Sequence, residues 1–119
     1  MNTHRQTAHD IARETIVAFR DMTPEDRAAK LSSLTITAQK SPTANSIRGQ
    51  ALIRFWDTAA HAVALDTEHM AGSYTGTTEG HGNMREAAMV ASGDALLAYV
   101  VSIIPVSVAG LLAGEAAPV

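Results

Sequence analysis

The residues of this sequence that come closest to a chemical site are an aspartate and a histidine four positions apart, Asp57 and His61. On an α-helix this spacing places both side chains on one face, where they could present two ligands to a metal ion. Glu68 falls on the same stripe, two turns further along. A metal site needs three or four ligands, and no Glu-x-x-His or His-Glu-x-x-His pattern occurs. We therefore interpret the three residues as a solvated helix face, with a metal site as the alternative.

A second candidate is His81, which stands between Gly80 and Gly82. Glycines let a backbone approach a ligand, and an imidazole can carry a proton. The sequence lacks a Gly-Lys-Ser/Thr phosphate motif, and no serine lies in Gly-x-Ser-x-Gly or Ser-x-x-Lys. The glycines are therefore interpreted as part of a mobile linker. The sequence favours a non-enzymatic protein and indicates no cofactor and no small-molecule substrate.

The charged residues divide the chain into a basic and an acidic part. Residues 1–54 hold eight Lys/Arg and five Asp/Glu, whereas residues 55–119 hold one arginine and seven acids. Arg5, Arg13 and Arg20 follow one another at steps of eight and seven positions and could form a basic stripe on the first helix. Acids are interleaved with the basic residues throughout, so the pattern does not favour a nucleic-acid partner. The chain has no cysteine, which excludes disulfides and thiolate metal sites.

Helices are the elements that must position these residues. Apolar residues recur at three- and four-residue steps over residues 4–22, which predicts a first amphipathic helix. Thr23 can cap a second helix, and Pro24 suits its first position because the missing N–H is unpaired there in any helix. This second helix is predicted to run to about Lys40, before Ser41-Pro42.

The third helix is predicted to begin between Thr43 and Ser46 and to reach about Met70. It has the clearest apolar face of the chain, which includes Phe55 and Trp56. We expect Trp56, Phe55 and Phe19 to anchor the core, because aromatic residues are rare here and bury the most area.

The predicted organisation has three parts: an amphipathic three-helix unit (residues 1–70), a flexible Gly/Thr-rich loop (71–83), and a hydrophobic C-terminal helical segment (84–119). Asn83 followed by Glu86 predicts a capping box that starts the last helix. The fold class is accordingly all-α, with about four helices.

Residues 95–114 carry no formal charge, and fifteen of these twenty are apolar. A helix of this length rises about 30 Å, the thickness of a bilayer core. The run therefore predicts a single membrane-spanning helix. Pro105 near its centre supports the alternative, in which the run divides into two pieces that fill a core or an oligomer interface.

The function expected from these patterns is that of a small helical adaptor or regulator, anchored by residues 95–114 to the inner face of a membrane. Its N-terminal part would lie in the cytoplasm, since the first residues lack an apolar signal segment. The alternative is a soluble cytoplasmic protein that self-associates through residues 84–114 and binds a protein or a nucleic acid.

Overall fold

A computed structural model describes residues 3–100 and 107–114, and all regular structure in these residues is helical. The helices, in chain order, are α1 (Thr3–Ala18), α2 (Pro24–Lys40), α3 (Ile47–Ala71), α4 (Thr78–Val100) and α5 (Val108–Leu112), with a 3₁₀ turn at Phe19–Asp21 after α1. The predicted all-α fold with about four helices is confirmed.

The start of α2 follows from the local sequence. The Thr23 hydroxyl accepts a hydrogen bond from the amide of Asp26 at 3.1 Å, and Pro24 occupies the first helical position. Glu25 and Asp26 lie in the first turn, where the helix dipole favours negative charge. The helix ends at Lys40, two residues before Pro42.

The ends of α3 are set by a hydroxyl cap and a glycine. The Ser46 side chain accepts a hydrogen bond from the amide of Gly49 at 2.9 Å. At the other end Gly72 has φ of +67°, and its N–H faces the carbonyls of Glu68 and His69. Glycine adopts this left-handed conformation without the steric cost of a Cβ atom, so the helix ends there and the chain turns back.

Helix α4 begins at Thr78, earlier than the predicted start at Asn83. The reason is Thr77, whose hydroxyl accepts a hydrogen bond from the amide of Gly80 at 2.9 Å. Gly80 and Gly82 therefore lie inside the first turns of α4 rather than in a loop. Between α3 and α4 the connection covers only residues 72–77 of the predicted loop 71–83.

The core lies where α4 packs along both α1 and α3, with α2 against α3 and α5 against α1. Trp56, Phe55 and Phe19 are all buried, and the rings of Phe55 and Trp56 meet edge to face with centroids 4.9 Å apart. Many other buried positions hold alanine, whose small side chain lets helices approach closely. These alanines are Ala8, Ala12, Ala38, Ala51, Ala59, Ala62, Ala88 and Ala95.

The described parts of the hydrophobic run lie in two helices. Its first residues form the end of α4, where Ala95, Leu96 and Tyr99 are buried, and its last residues include α5, where Leu111 is buried. Pro105 belongs to residues 101–106, which lie outside the described residues. Within the described part of the chain, no helix combines the length and apolar character needed to cross a membrane.

Candidate functional site at the α3–α4 junction

The three arginines on α1 and its 3₁₀ extension pair with acids of α3 and α4. Arg5 lies 3.5 Å from a carboxylate oxygen of Asp94, Arg13 donates to Glu86, and Arg20 donates to Asp66 at 2.8 Å. The hydrogen bond from Arg13 holds the pKa of Glu86 below its usual value. The three arginines therefore form a line of ion pairs between helices, which we call the arginine seam. They do not form an open basic face of the kind that binds nucleic acids.

Asp66 is the most deeply buried charged residue of this seam. Arg20 donates two hydrogen bonds to its carboxylate, both at 2.8 Å, and Arg85 donates a third at 2.7 Å. Burial raises the pKa of Asp66, but the hydrogen bonds and charges of the two arginines outweigh it and hold the pKa below its usual value. An ionised, fully paired carboxylate on α3 fixes this helix relative to α4 and to the 3₁₀ turn that follows α1.

The three candidate metal ligands of the sequence do not form one group. Asp57 and His61 are exposed on α3, while Glu68 accepts a hydrogen bond from Nε2 of His81, 3.1 Å away on α4. Throughout residues 3–100 and 107–114, no group of three or more His, Cys, Asp or Glu side chains is placed to hold a metal ion. The interpretation of Asp57 and His61 as a solvated helix face stays a prediction, whereas Glu68 belongs to a different arrangement.

That arrangement is a group of three rings at the turn between α3 and α4, which we call the ring cluster: His69, Tyr74 and His81. The rings of Tyr74 and His81 are nearly parallel, at 14°, with centroids 4.2 Å apart. The imidazoles of His69 and His81 are parallel within 4°, and their Nδ1 atoms are 3.4 Å apart. The Tyr74 hydroxyl donates to the hydroxyl of Thr78 at 2.9 Å, which ties the connection to α4.

Local sequence signals determine the position of each ring. His69 lies in the last turn of α3, Gly72 reverses the chain, and Thr77 starts α4 so that His81 falls one turn inside it. A side chain at Gly82 would lie 3.6 Å from the His69 ring, so the two helices are close at this point. The sequence singled out His81, but nothing in the local pattern indicated that His69 and Tyr74 would surround it.

Beside the ring cluster lies an open cavity of about 330 Å³. Its lining mixes apolar, aromatic and polar side chains: Leu65, Glu68, Ser73, Tyr74, Thr75, His81 and Met84. Met84 is 56% exposed, and Met70, near the end of α3, is exposed as well. The cavity thus combines a concave surface, the exposed side chain of Met84 and the exposed carboxylate of Glu68, which are features of a binding surface.

Comparison with known proteins gives no relative for this chain: no family model, no curated protein and no solved structure matches it.

Proposed function

We propose that this protein is a non-enzymatic helical adaptor or regulator that binds a segment of a protein partner at the α3–α4 junction. The observation that carries the proposal is the exposure of Met84 at the cavity beside the ring cluster. A methionine side chain is unbranched and adaptable, and such residues are frequent on surfaces that accept partner side chains. The cavity is open on one side and is large enough to receive an apolar side chain.

The charges around the cavity indicate the chemistry of the partner segment. Asp66, Glu86 and Asp94 are each paired with an arginine. Within the described residues, by contrast, Glu68 is paired only with His81 and lines the cavity. A carboxylate at the rim of an apolar cavity favours a cation on the approaching chain. The segment we propose therefore carries a large apolar side chain next to a lysine or arginine.

The hydrophobic run 95–114 is proposed to complete the core rather than to anchor the protein in a membrane. Burial of Leu96, Tyr99 and Leu111 supports this choice. The alternative is an adaptor held at the inner face of a membrane with its N-terminal part in the cytoplasm. Extraction of expressing cells with alkaline carbonate tests the choice: release of the chain into the supernatant supports it, and retention in the membrane pellet contradicts it.

Selection from a phage-displayed random peptide library on the immobilised protein tests the binding site. The selection is run with a chelator present, so that no metal ion contributes. We expect enrichment of peptides that combine a large apolar residue with a neighbouring lysine or arginine. Met84→Glu should abolish their binding, and Glu68→Gln should weaken it.

The matched control is Ile36→Glu, which places the same charge at another exposed apolar residue, 44% exposed on α2. This variant should bind the selected peptides as the parent does. Failure to enrich peptides above an uncoated support would contradict the proposal, and so would equal binding to the Met84→Glu variant. Sedimentation velocity distinguishes the remaining alternative, self-association through residues 84–114, which would give a dimer or larger species in the absence of peptide.

A further inference from the structure

A second cavity, which we call the arginine cavity, lies where the 3₁₀ turn and the first part of α2 meet the end of α3. Its volume is about 280 Å³, and it is lined by Arg20, Arg27, Thr67, Met70 and Ala71. It shares no lining residue with the cavity beside the ring cluster. The lining comes from two distant parts of the chain, so no local motif indicates it. Among the described residues the lining holds two arginines and no acid.

Hydrogen bonds hold both guanidinium groups of the arginine cavity in place but use only part of their donors. Arg20 donates from Nε and Nη2 to the carboxylate of Asp66, at 2.8 Å in each case. Arg27 donates from Nε to the Phe19 carbonyl at 3.2 Å and from Nη2 to the Met22 carbonyl at 2.8 Å. A guanidinium group has five N–H donors. In the described part of the chain, Nη1 of each arginine has no acceptor, so oriented donors remain for a ligand.

The charges around the arginine cavity do not balance. Arg20 and Arg85 share the single carboxylate of Asp66, whereas Arg27 forms no ion pair with any described residue. Three arginines and one aspartate leave a formal surplus of two positive charges. The acids next to these arginines in the chain are exposed and form no ion pair within the described residues: Asp21 and Asp26. The cavity therefore favours a ligand that carries two negative charges.

We propose that the arginine cavity binds a small organic phosphate, with the phosphate group held by Arg20 and Arg27. A phosphate monoester carries a charge of about −1.5 to −2 at neutral pH, which matches the surplus of positive charge. Its oxygens accept several hydrogen bonds at once, and the planar donor fork of arginine fits their geometry. A carboxylate would offset only one of the two charges.

The residues of α3 that line the cavity suit the rest of such a ligand. The Thr67 hydroxyl has no hydrogen-bond partner among the described residues, whereas the hydroxyls of Thr15 and Thr58 donate to carbonyls of their own helices. Thr67 is therefore able to donate to a phosphate oxygen. Met70 and Ala71 provide an apolar wall for the organic group of the ester. A volume of about 280 Å³ has room for a phosphate group and one small ring.

Titration of the isotope-labelled full chain with phenyl phosphate, followed by NMR in phosphate-free buffer of low ionic strength, tests the proposal. We expect saturable shifts of the backbone amides of Thr67, Met70 and Ala71, one ligand per chain, and weaker binding as salt is added. Inorganic phosphate and benzoate, which each lack one feature of the ligand, should bind at least tenfold more weakly. Benzoate that binds as tightly as phenyl phosphate would overturn the phosphate assignment. Equal binding of inorganic phosphate would overturn the organic ligand, and the absence of saturable shifts would overturn the site.

Variants of the lining test the same proposal a second way. Arg27→Gln should weaken the binding of phenyl phosphate at least tenfold, because it removes a charged donor. Thr67→Val keeps the shape of the side chain and should weaken binding severalfold. The matched control is Arg54→Gln, which removes an exposed arginine of α3 outside the lining and should bind as the parent does. Binding by Arg27→Gln that equals the parent would overturn the site. The shifts measured on the parent chain do not depend on how well a variant folds, and the peptide site has a separate lining, so either proposal can fail alone.

Discussion

Replacing Asp66 by asparagine removes one charge and preserves the shape of the side chain. Asp66 is 2% exposed and accepts three hydrogen bonds from Arg20 and Arg85, whose side chains are 33% and 18% exposed. Breaking a buried ion pair by removing one partner costs about 3–5 kcal/mol. Water reaches part of both guanidinium groups. We therefore expect Asp66→Asn to lower the free energy of unfolding by about 3 kcal/mol, at the lower end of this range. For a chain of this size that loss lowers Tm by roughly 10 °C.

Thermal and urea unfolding of the parent and of Asp66→Asn measure this loss, with Glu86→Gln as the control. Glu86 also pairs with an arginine, but its side chain is 51% exposed, so its neutral variant should lose less than about 1 kcal/mol. If Asp66→Asn melts within about 2 °C of Glu86→Gln, the carboxylate does not hold the helices together and the reasoning is wrong.

The pH dependence of stability provides a second test of the contribution of Asp66. The pKa of Asp66 is below its usual value in the folded chain, so the folded state binds a proton less readily than the unfolded state. Its contribution to stability is complete above the ordinary aspartate pKa of about 3.9 and is lost as the pH falls through the lower, folded value. The difference in stability between the parent and Asp66→Asn should therefore shrink on acidification below about pH 4.

Three further predictions follow from core packing, capping and helix contact. Trp56→Ala should cost about 3–5 kcal/mol by urea unfolding, because the indole is buried; a Tm within two degrees of the parent's would contradict this. Thr23→Ala should cost about 1 kcal/mol by loss of the cap, whereas Thr23→Asp should be tolerated; equal losses would argue against the cap. Gly93→Ala should lower the free energy of unfolding by about 1–3 kcal/mol, since the added Cβ would lie 2.6 Å from the His9 ring. At Gly82, by contrast, an added Cβ has space, so Gly82→Ala should raise the free energy of unfolding by up to about 1 kcal/mol, as measured by thermal melting. A decrease as large as that of Gly93→Ala would refute the packing argument.

The elements that the sequence predicted well are those set by neighbouring residues. Helix α2 begins after Thr23 and ends at Lys40, because a hydroxyl cap, a first-turn proline and a following Ser-Pro act within a few positions. The local pattern predicts that α4 starts at Asn83, because Gly80 and Gly82 resemble loop residues. The contacts of α4 with α1 and α3 compensate for the low helix propensity of glycine, and such tertiary contacts are not visible in a local pattern.

The site itself depended on long-range contacts. Asp66 receives its arginine partners from 46 positions earlier and 19 positions later in the chain, so no spacing rule joins them. His69 and His81 are twelve positions apart and meet only because Gly72 turns the chain between two helices. The sequence indicated which side chains carry chemistry, whereas the packing of α3 against α4 determines which of them meet.

The pairing of α1 with α4 has a consequence for the order in which the chain folds. The ion pairs between these helices, Arg13–Glu86 and Arg5–Asp94, join residues 73 and 89 positions apart, whereas α3 and α4 are joined by the short connection 72–77. Closing the longer loop costs more chain entropy, so the α3–α4 hairpin should form before α1 docks on it. During synthesis α1 leaves the ribosome before α4. Until α4 has also left the ribosome, α1 lacks the helix against which most of its buried face packs. Its apolar face, with Ala8, Ala12 and Ile16, is therefore exposed in the nascent chain and needs protection from aggregation until α4 is available.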